Sequence, residues 1–209
     1  MTQKQLTLAQ IGCGYWGPNL LRNFSAQSDC RVKYVVDPSP ERRSYVETNF
    51  PRTQAITNLD TVLNDAEIDA VVIATPAASH YQLAKQALES GKHIFVEKPI
   101  CTSLDSRKEM IRACQASNII LAVGYHLRWH QGLRKIAKEA ANKTLGEIHH
   151  LRLHWAINFL ERAKWRINSE GRWCCLSVLG THLIDIMRWM MVPTCGEVID
   201  IKSIVKKII

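Results

Sequence analysis

The sequence lacks several features that mark other classes of protein. It has no uninterrupted apolar run of about 18 residues, so no membrane span is expected. Its seven cysteines are odd in number and include no C-x-x-C pair, which argues against a disulfide framework and against a zinc site. Cys174 and Cys175 are adjacent and too close for ordinary bridging geometry. Residues 1–4 leave no room for a signal peptide, so we expect a protein of the reducing cytoplasm without a bound metal.

Acidic residues are scarce compared with basic ones. The chain has 19 aspartates and glutamates against 27 lysines and arginines, for a formal net charge of +8. The excess is concentrated between His126 and Arg172, where ten basic residues accompany four glutamates. Such a segment attracts nucleic acid, an anionic membrane or an anionic metabolite, but a solvated helix face explains it equally well. Its aromatic residues lack the spacing of a base-stacking platform, so we expect neither nucleic acid nor a membrane as partner.

A glycine-rich stretch near the start is the most informative part of the chain. Gly12, Gly14 and Gly17 form G-x-G-x-x-G between an apolar run at 6–11 and a segment that opens a helix. The first glycine permits a tight turn, the second lets the backbone approach a pyrophosphate, and the third lets the helix lie close to the strand. Pro18 suits a first helical turn. Without this context the triplet would be an ordinary glycine-rich turn; with it, a dinucleotide site is predicted.

An acidic residue follows the next apolar strand at the position of a ribose-binding acid. Asp37 comes directly after residues 32–36, about 20 residues beyond the glycines. A carboxylate there accepts hydrogen bonds from a ribose diol and repels a 2′-phosphate. Arg42 and Arg43 are close enough in sequence to soften that repulsion. We therefore expect NAD as the preferred cofactor, with NADP possible.

Strands and helices alternate up to Gly124. The chain of 209 residues, 46% of them hydrophobic, can form one large domain or two small ones with a real core. The alternation predicts an α/β fold, a doubly wound Rossmann domain over 1–124 with a mostly parallel sheet and ligand groups at its strand ends. We expect strands at 6–11, 32–37, 54–57, 70–74, 93–96 and 119–123, helices between them, N-caps at Asn58, Ser79 and Ser103, and a helix stop at Gly91.

The pattern changes after Gly124. Residues 133–141 and 180–191 are typical of helices, 148–155 alternate like a half-exposed strand, and 160–172 form a polar loop. One or two further strands are expected at 198–209. An apolar, strand-rich end with little chain to cover it is expected to bury itself against another subunit, so a homo-oligomer is predicted.

Two short motifs follow predicted core strands. Glu97-Lys98-Pro99 comes directly after one strand, where a lysine could reach nicotinamide and substrate and where partial burial would lower its pKa. The alternative is a turn with a solvated lysine. Thr75-Pro76 ends another strand, and a simple turn before the helix is the alternative there.

Taken in order, the motifs resemble those of the Gfo/Idh/MocA oxidoreductases. The chain carries I-G-C-G-Y-W-G at 11–17, Asp37, A-T-P at 74–76 with His80, V-E-K-P at 96–99 and G-T-H-L-I-D at 180–185. The first and fourth are the most specific, and together the motifs cover most of the chain. Residues 119–130, ending in Y-H-L-R-W-H, also resemble the branch that acts on nucleotide-linked sugars.

The resemblance implies an NAD(P)-binding domain followed by an α/β domain with an open, mostly antiparallel sheet, often buried in an oligomer. It also implies hydride transfer between nicotinamide and a sugar or cyclitol carbinol. Lys98 matches the active-site lysine, whose bond to the following proline is often cis in relatives, and His182 matches the catalytic histidine, with Asp185 on the same helix face. The motifs assign cofactor contacts to Gly12, Gly14, Tyr15, Trp16, Gly17, Asp37, Thr75, Pro76, His80, Glu97 and Lys98.

The sequence departs from the family pattern in the second half. Many members place an aspartate four residues before the histidine, where this chain has Val178, a residue that can neither orient an imidazole nor accept a proton. Some nucleotide-sugar relatives use lysine and histidine alone. R-W-C-C-L at 172–176 replaces a glycine-rich run, and the region 125–209 is a short, partial substrate and oligomerisation domain compared with the family's usual length.

Two functions from different classes are compatible with these features. The first is an NAD-dependent dehydrogenase acting on a sugar, cyclitol or nucleotide-sugar alcohol, with Lys98 and His182 as catalytic pair. The second is an NAD-binding protein that has lost turnover and acts as a sensor or subunit partner. Val178 and the short second domain favour the second, whereas Glu97-Lys98-Pro99 and His182 favour the enzyme.

Overall fold

The chain divides into two compact units, Met1–Gly124 and Tyr125–Ile209. The computed structural model describes residues 5–101, 103–155, 179–200 and 202 of them. Strands and helices alternate through the first unit, as the sequence predicts. In chain order they are β1 (Leu6–Ile11), α1 (Gly17–Ser25), β2 (Cys30–Val36), α2 (Pro40–Asn49), β3 (Gln54–Ile56), α3 (Asp60–Leu63), β4 (Ala70–Ile73), α4 (Ala77–Glu89), β5 (His93–Val96), α5 (Leu104–Ala116) and β6 (Leu121–Val123).

The strands of the first unit form one sheet. Its order is β3-β2-β1-β4-β5-β6, and every neighbouring pair is parallel. Parallel neighbours need a crossover connection, which the helices supply. The order reverses between β1 and β4, the switch point beside which such sheets bind ligands at the carboxyl ends of their strands. The predicted doubly wound parallel sheet is confirmed.

Apolar side chains cover both faces of this sheet. Neighbouring strand residues point to opposite faces, so Val72 and Ile73 of β4 belong to different apolar clusters. One cluster includes Leu21 of α1, which is fully buried. The other includes Met110 of α5, together with residues of α3 and α4. Helices therefore cover both faces of the sheet, and a ligand would bind at the ends of the strands.

Two of the four predicted helix boundaries differ from the structure. Gly91 has φ +70° and ends α4 as expected, and Ser103 caps α5 by accepting a hydrogen bond from the Ser106 N–H. The prediction that Ser79 caps α4 is wrong, because the helix begins at Ala77 with Pro76 as its N-cap. Asn58 also lies one residue before the N-cap of α3, and its side chain accepts from the Asp60 N–H at 2.9 Å. Pro76 suits the N-cap position of α4 because its ring fixes φ and it has no backbone N–H to satisfy.

The described part of the second unit is helical. It contains a 3₁₀ helix (His126–Trp129), α6 (Gln131–Ala141) and α7 (Thr181–Cys195), which pack against one another. The buried residues of α7 are His182, Ile186 and Met190, spaced four apart along one helix face. Among the described helices, none has the length and apolar character that crossing a bilayer requires.

The predicted antiparallel sheet of the second unit is wrong for the residues that the structure describes. Residues 148–155 form no strand, and neither do 198–200; residues 156–178, 201 and 203–209, which include the predicted polar loop, lie outside the described part. The Ile148 carbonyl instead lies 3.6 Å from Cys195 Sγ at the end of α7. An alternating pattern shows only that one face is suited to burial, and a strand forms only where a partner strand is available.

Candidate functional site

The loop between β1 and α1 is built around its glycines. Gly12 has φ +93°, and a Cβ there would lie 2.8 Å from the Ala74 carbonyl oxygen. A Cβ on Gly17 would lie 2.7 Å from the Gly12 carbonyl oxygen. Gly14 differs, because a Cβ there would meet nothing within 4 Å among the described atoms. Packing therefore explains the first and third glycines, whereas the second leaves the backbone open on a side that faces none of the described residues.

A buried amide fastens this loop to the sheet. Gln10 of β1 is 1% exposed, and its Nε2 donates to the carbonyl oxygens of Gly12 at 2.9 Å and Gly17 at 3.0 Å. Both hydrogens of the amide group are thereby used within the glycine-rich turn. Sequence reasoning assigns no role to Gln10, although a glutamine inside an apolar strand is a signal that could have drawn attention to it.

Asp37 lies at the end of β2 and braces the same loop. Its carboxylate is 6% exposed; Oδ2 accepts from the Cys13 N–H at 2.7 Å and Oδ1 from the Ser39 N–H at 2.9 Å. Burial, with Asp37 beside it, raises the pKa of the Cys13 thiol to about 11. Arg43 donates from Nη1 to the Asp37 and Pro38 carbonyls, both at 2.9 Å. The guanidinium of Arg43 is therefore tied to backbone beside the acid.

The loop after β4 carries Thr75, Pro76 and His80. The Ser79 hydroxyl donates to Thr75 Oγ1 at 2.8 Å. His80 is 1% exposed, and its ring lies between two backbone carbonyls, those of Thr75 and Pro99. Thr75 also lies beside the glycine-rich loop, since a Cβ on Gly12 would come within 2.9 Å of its methyl group.

The loop after β5 carries Glu97, Lys98 and Pro99, and the Lys98–Pro99 bond is cis. Burial raises the pKa of the Glu97 carboxyl, while hydrogen bonds from the Lys98 N–H and the Trp16 side chain act in the opposite direction. The Lys98 N–H lies 3.2 Å from Glu97 Oε2. A Cβ on Gly124 would lie 2.6 Å from Glu97 Oε1. The carboxylate therefore packs between the glycine-rich loop and the residue that follows β6.

These loops all lie at one edge of the sheet. The glycine-rich turn follows β1, Thr75 follows β4, Lys98 follows β5 and Gly124 follows β6, and these four strands are successive neighbours. Parallel strands bring their carboxyl ends to the same edge. The sheet thereby gathers the predicted cofactor residues and the predicted catalytic lysine on one edge of the first unit.

The first unit fits a dinucleotide. The open side of Gly14 admits a pyrophosphate, and the N-terminus of α1, which has no side-chain cap among the described residues, presents its positive dipole end. Two of the acceptor positions of Asp37 are used by backbone N–H groups, and a carboxylate has about four. Capacity for a ribose diol therefore remains on the acid.

The predicted catalytic histidine lies in the second unit within an aromatic cluster. His182 is 4% exposed, and its ring centroid lies 4.9 Å from that of His126, 6.1 Å from Tyr125 and 5.9 Å from Trp155. Val178, where many relatives have an aspartate, lies outside the described residues. Sequence reasoning did not predict the aromatic neighbours, because they come from two distant parts of the chain.

Asp185, one turn beyond His182, binds a different residue. Its carboxylate accepts hydrogen bonds from Arg128 Nε at 2.8 Å and from Arg128 Nη2 at 2.6 Å. The guanidinium of Arg128 also lies 6.0 Å from the ring of Trp189. This bidentate pair connects the 3₁₀ helix to α7, and it engages both oxygens of the acid that the sequence places on the same helix face as His182. No group of three or more His, Cys, Asp or Glu in the described residues could hold a metal ion.

Comparison with known families agrees with this architecture. A family model described as "Oxidoreductase family, NAD-binding Rossmann fold" matches residues 6–125, more than half of the chain. The chain belongs to the Gfo/Idh/MocA oxidoreductase family. A model of the GFO/IDH/MocA C-terminal domain matches residues 133–205. The resemblance that the motifs predict is thereby confirmed, and so is the NAD-binding character of the first unit.

Two curated relatives are longer than this Gfo/Idh/MocA chain. It is 32% identical over 197 residues to the uncharacterized oxidoreductase YrbE of Bacillus subtilis strain 168, covering 93% of this chain and 56% of that protein. It is 24% identical over 208 residues to D-apiose dehydrogenase of Rhizobium rhizogenes strain K84, covering 100% of this chain and 59% of that one. The chain thus spans somewhat more than half the length of these curated relatives.

A solved structure shows the same fold. Scyllo-inositol dehydrogenase from Lactobacillus casei, with bound NAD(H) and scyllo-inositol, superposes with a TM-score of 0.80. The match has 22% sequence identity and covers 90% of this Gfo/Idh/MocA chain and 56% of that chain. At this identity the likeness establishes the fold alone.

Proposed function

We propose that this protein is an NAD-dependent dehydrogenase acting on a carbinol of a sugar, cyclitol or nucleotide sugar. NAD supplies the hydride chemistry when it is bound. In the oxidative direction the substrate carbon gives up a hydride and its hydroxyl gives up a proton, which a protein group must accept. The names of two relatives, D-apiose dehydrogenase and scyllo-inositol dehydrogenase, support a polyhydroxylated substrate.

The observation that carries the proposal is the shared edge of the parallel sheet. The glycine-rich turn after β1 and Lys98 after β5 flank the loop after β4, so a dinucleotide on the first lies along the same edge as the second. A dinucleotide site alone would need no lysine there. A lysine beside a nicotinamide site provides a group that can bind a substrate hydroxyl and handle its proton.

The proposed roles follow from chemistry at each position. Lys98 donates a hydrogen bond to the substrate oxygen and favours its loss of a proton. His182 accepts or donates that proton, and the cluster of Tyr125, His126 and Trp155 limits the orientations of its ring. For the dinucleotide we propose backbone contacts at Gly12, Gly14, Tyr15, Trp16 and Gly17, a ribose contact at Asp37, and contacts along Thr75, Pro76 and Glu97.

A second function is favoured by one specific feature. Val178 stands where many family members have an aspartate, and valine cannot orient or exchange a proton with an imidazole. Asp185, the nearest acid on the same helix, is engaged by Arg128. A protein that binds NAD but turns over slowly or not at all, and serves as a sensor or subunit partner, is therefore the alternative.

Turnover and cofactor binding, measured separately, test the two functions. We would screen sugars, cyclitols and nucleotide sugars by NADH absorbance and measure NAD affinity by calorimetry. We expect near-normal NAD affinity with weak turnover that His182→Ala abolishes and Lys98→Met lowers by about 10²–10⁴-fold. Lys108→Met and His149→Ala, which change exposed residues of the same types, are the matched controls.

Val178→Asp decides between the alternatives. It should raise turnover if the substrate pocket is otherwise intact, because it places a carboxylate four residues before His182, as in many family members. Turnover that survives His182→Ala would show that another residue handles the proton. Inactivity of both the wild type and Val178→Asp on every substrate, with NAD still bound, would assign the protein to the non-catalytic class.

A further inference from the structure

His80 connects two loops at the edge of the sheet. It lies in the first turn of α4 and is 1% exposed. Its Nδ1 lies 2.7 Å from the carbonyl oxygen of Pro99, and its Nε2 lies 2.8 Å from the carbonyl oxygen of Thr75. Thr75 follows β4 and Pro99 follows the neighbouring strand β5, so one imidazole ring spans the gap between the two loops.

Both partners of this ring are hydrogen-bond acceptors, which constrains its protonation. A neutral imidazole has one N–H and one bare nitrogen. A peptide carbonyl cannot donate, so either neutral tautomer would place a nitrogen lone pair against an oxygen at hydrogen-bonding distance. Both contacts are hydrogen bonds only if both nitrogens carry hydrogen, as they do in the imidazolium.

The charged groups around His80 are engaged elsewhere. α4 packs against α5, β4 and β5, and Glu109 of α5 pairs with Lys85 at 3.8 Å and hydrogen-bonds Tyr81. Glu97, on the loop that contains Pro99, accepts from the Lys98 N–H. In the described part of the chain no carboxylate bonds to either nitrogen of His80. The two carbonyl dipoles are therefore the groups that favour its charge.

His80 completes a chain of contacts that reaches the glycine-rich loop from two sides. On one side, Gly12 packs closely against Thr75, whose carbonyl accepts from His80. On the other side, the Trp16 side chain hydrogen-bonds Glu97, which neighbours Lys98. The imidazole closes the gap between Thr75 and Pro99. Removing it would break the connection between the lysine loop and the Thr75 side of the glycine-rich loop.

We propose that His80 is a positioning residue that, as a buried imidazolium, joins the loops after β4 and β5 and thereby fixes Lys98. The inference rests on the proposed role of Lys98 in the dehydrogenase. It also replaces the role expected for His80 from the family motif, that of a cofactor contact. Both nitrogens bond to backbone, and neither remains for the dinucleotide.

The protonation is tested on the wild-type protein, without any variant. The side-chain nitrogens of ¹⁵N,¹³C-labelled protein are recorded by NMR at neutral pH, and the His80 ring signals are assigned through bonds from its own backbone amide. We expect both nitrogens of His80 to show the shifts and proton couplings of protonated nitrogens. An unprotonated ring nitrogen on His80 would overturn the proposal, since the ring could then donate a hydrogen bond to only one of the two loops.

The positioning role is tested with His80→Phe, which retains a ring but has no donor. Hydrogen exchange should rise in residues 97–101 and remain close to wild type in β1 and β2. Turnover should fall about tenfold with NAD affinity changed less than about threefold, because the variant displaces Lys98 but leaves Gly12, Gly14 and Asp37 in place. His93→Phe is the control, since His93 begins the same strand β5 and its Nδ1 accepts from the Ile120 N–H.

These measurements separate this inference from the proposed function. NMR and hydrogen exchange need no substrate. If the wild type showed no turnover, the proposed dehydrogenase activity would be refuted, and these two methods would still test the His80 bridge. Unchanged exchange at 97–101 in a folded His80→Phe variant would overturn the positioning role. If that variant does not fold, the ¹⁵N spectrum of the wild type still decides the protonation on which the bridge depends.

Discussion

At the scale of single residues, the glycine-rich loop depends on side chains outside its motif. Gln10 of β1 donates hydrogen bonds to two carbonyls of the loop, and Asp37 accepts a hydrogen bond from the Cys13 N–H within the loop. A loop that must present its backbone to a ligand cannot be fixed by bulky side chains of its own. Buried polar groups at the adjoining strands perform this task through hydrogen bonds to the backbone.

Gln10→Leu should weaken NAD binding. The change leaves the Gly12 and Gly17 carbonyls buried without their donor, at a cost of about 1–3 kcal/mol in the free energy of unfolding. We expect a roughly tenfold loss of NAD affinity by calorimetry, because the loop is no longer held in its binding geometry. Gln54→Leu, on an exposed position of β3, is the matched control. Equal affinity in Gln10→Leu and wild type would refute a role for the amide.

Asp37 should make the protein prefer NAD to NADP. Its carboxylate lies at the end of β2, where it would repel a 2′-phosphate, and the guanidinium of Arg43 is bound to backbone carbonyls. We expect NAD to bind at least about tenfold more tightly than NADP in parallel titrations. Added salt should narrow the difference by screening the repulsion. Equal or tighter NADP binding would contradict the assignment of Asp37.

Glu97→Gln should change how stability depends on pH. Burial raises the pKa of Glu97, so the folded protein holds this proton more tightly than the unfolded chain does. The resulting stability is fully present below the ordinary glutamate pKa and is lost as pH rises through the raised value. Glutamine does not ionise, so the Tm of the variant minus that of the wild type should increase as the pH rises above the ordinary glutamate pKa of about 4.3. Glu89→Gln, at an exposed position, should show no such trend, and a Tm difference for Glu97→Gln that stayed constant or fell would contradict the prediction.

At the scale of elements, a bidentate ion pair connects the 3₁₀ helix to α7 within the second unit. Arg128 binds Asp185 through two hydrogen bonds, and the Asp185 side chain is 11% exposed while that of Arg128 is 47% exposed. The pair holds the 3₁₀ helix on α7, and the same helix carries His126 to within 4.9 Å of His182. Arg128, in the Y-H-L-R-W-H stretch, thus helps to fix the surroundings of the proposed catalytic histidine.

Arg128→Ala should lower turnover while leaving NAD binding in the first unit intact. The variant leaves a largely buried carboxylate unpaired, which we expect to cost about 1–3 kcal/mol in thermal or denaturant unfolding. Arg188→Ala is the control on α7, the helix that carries Asp185, because Arg188 pairs with Glu197 in an exposed ion pair, and such pairs contribute about 0–1 kcal/mol. Equal effects of the two variants on turnover and stability would show that the Arg128 pair has no special role.

At the scale of the whole molecule, the chain consists of two compact units, each matched by its own family model. Each of the two proposed catalytic residues lies in a different unit, Lys98 in the first and His182 in the second. Exposed apolar side chains are present in the second, among them Trp129 at 75% and Ile184 at 47%. Such surface is typical of a face that another chain covers.

We expect the protein to be a homo-oligomer. Burial of apolar surface between identical subunits would remove these side chains from water. Light scattering over a wide concentration range should give a mass that is a multiple of 23.8 kDa. Trp129→Glu should shift the mass toward that of a monomer, whereas Tyr45→Glu, on an apolar side chain of the first unit that is 38% exposed, should not. A stable monomer at all concentrations would contradict the prediction.

The sequence by itself determined the parallel α/β unit and its dinucleotide loop. Apolar periods of strand and helix recur through residues 6–123, and a parallel sheet follows from their alternation. Gly12, Gly14 and Gly17 have roles set by local backbone geometry, and Lys98 follows a strand whose end the topology directs to the ligand edge. These features depend on residues that are close in sequence, so they can be predicted from the sequence alone.

The tertiary structure alone decided which polar side chains support the site. The partners of Gln10, His80, Glu97 and Arg128 come from other elements, and no local pattern specifies such pairings. It also decided that residues 148–155 form no strand, because strand formation requires a partner that an alternating pattern does not supply. Periodicity encodes which face of an element is buried, whereas hydrogen-bond partners depend on elements that meet only after the chain has folded.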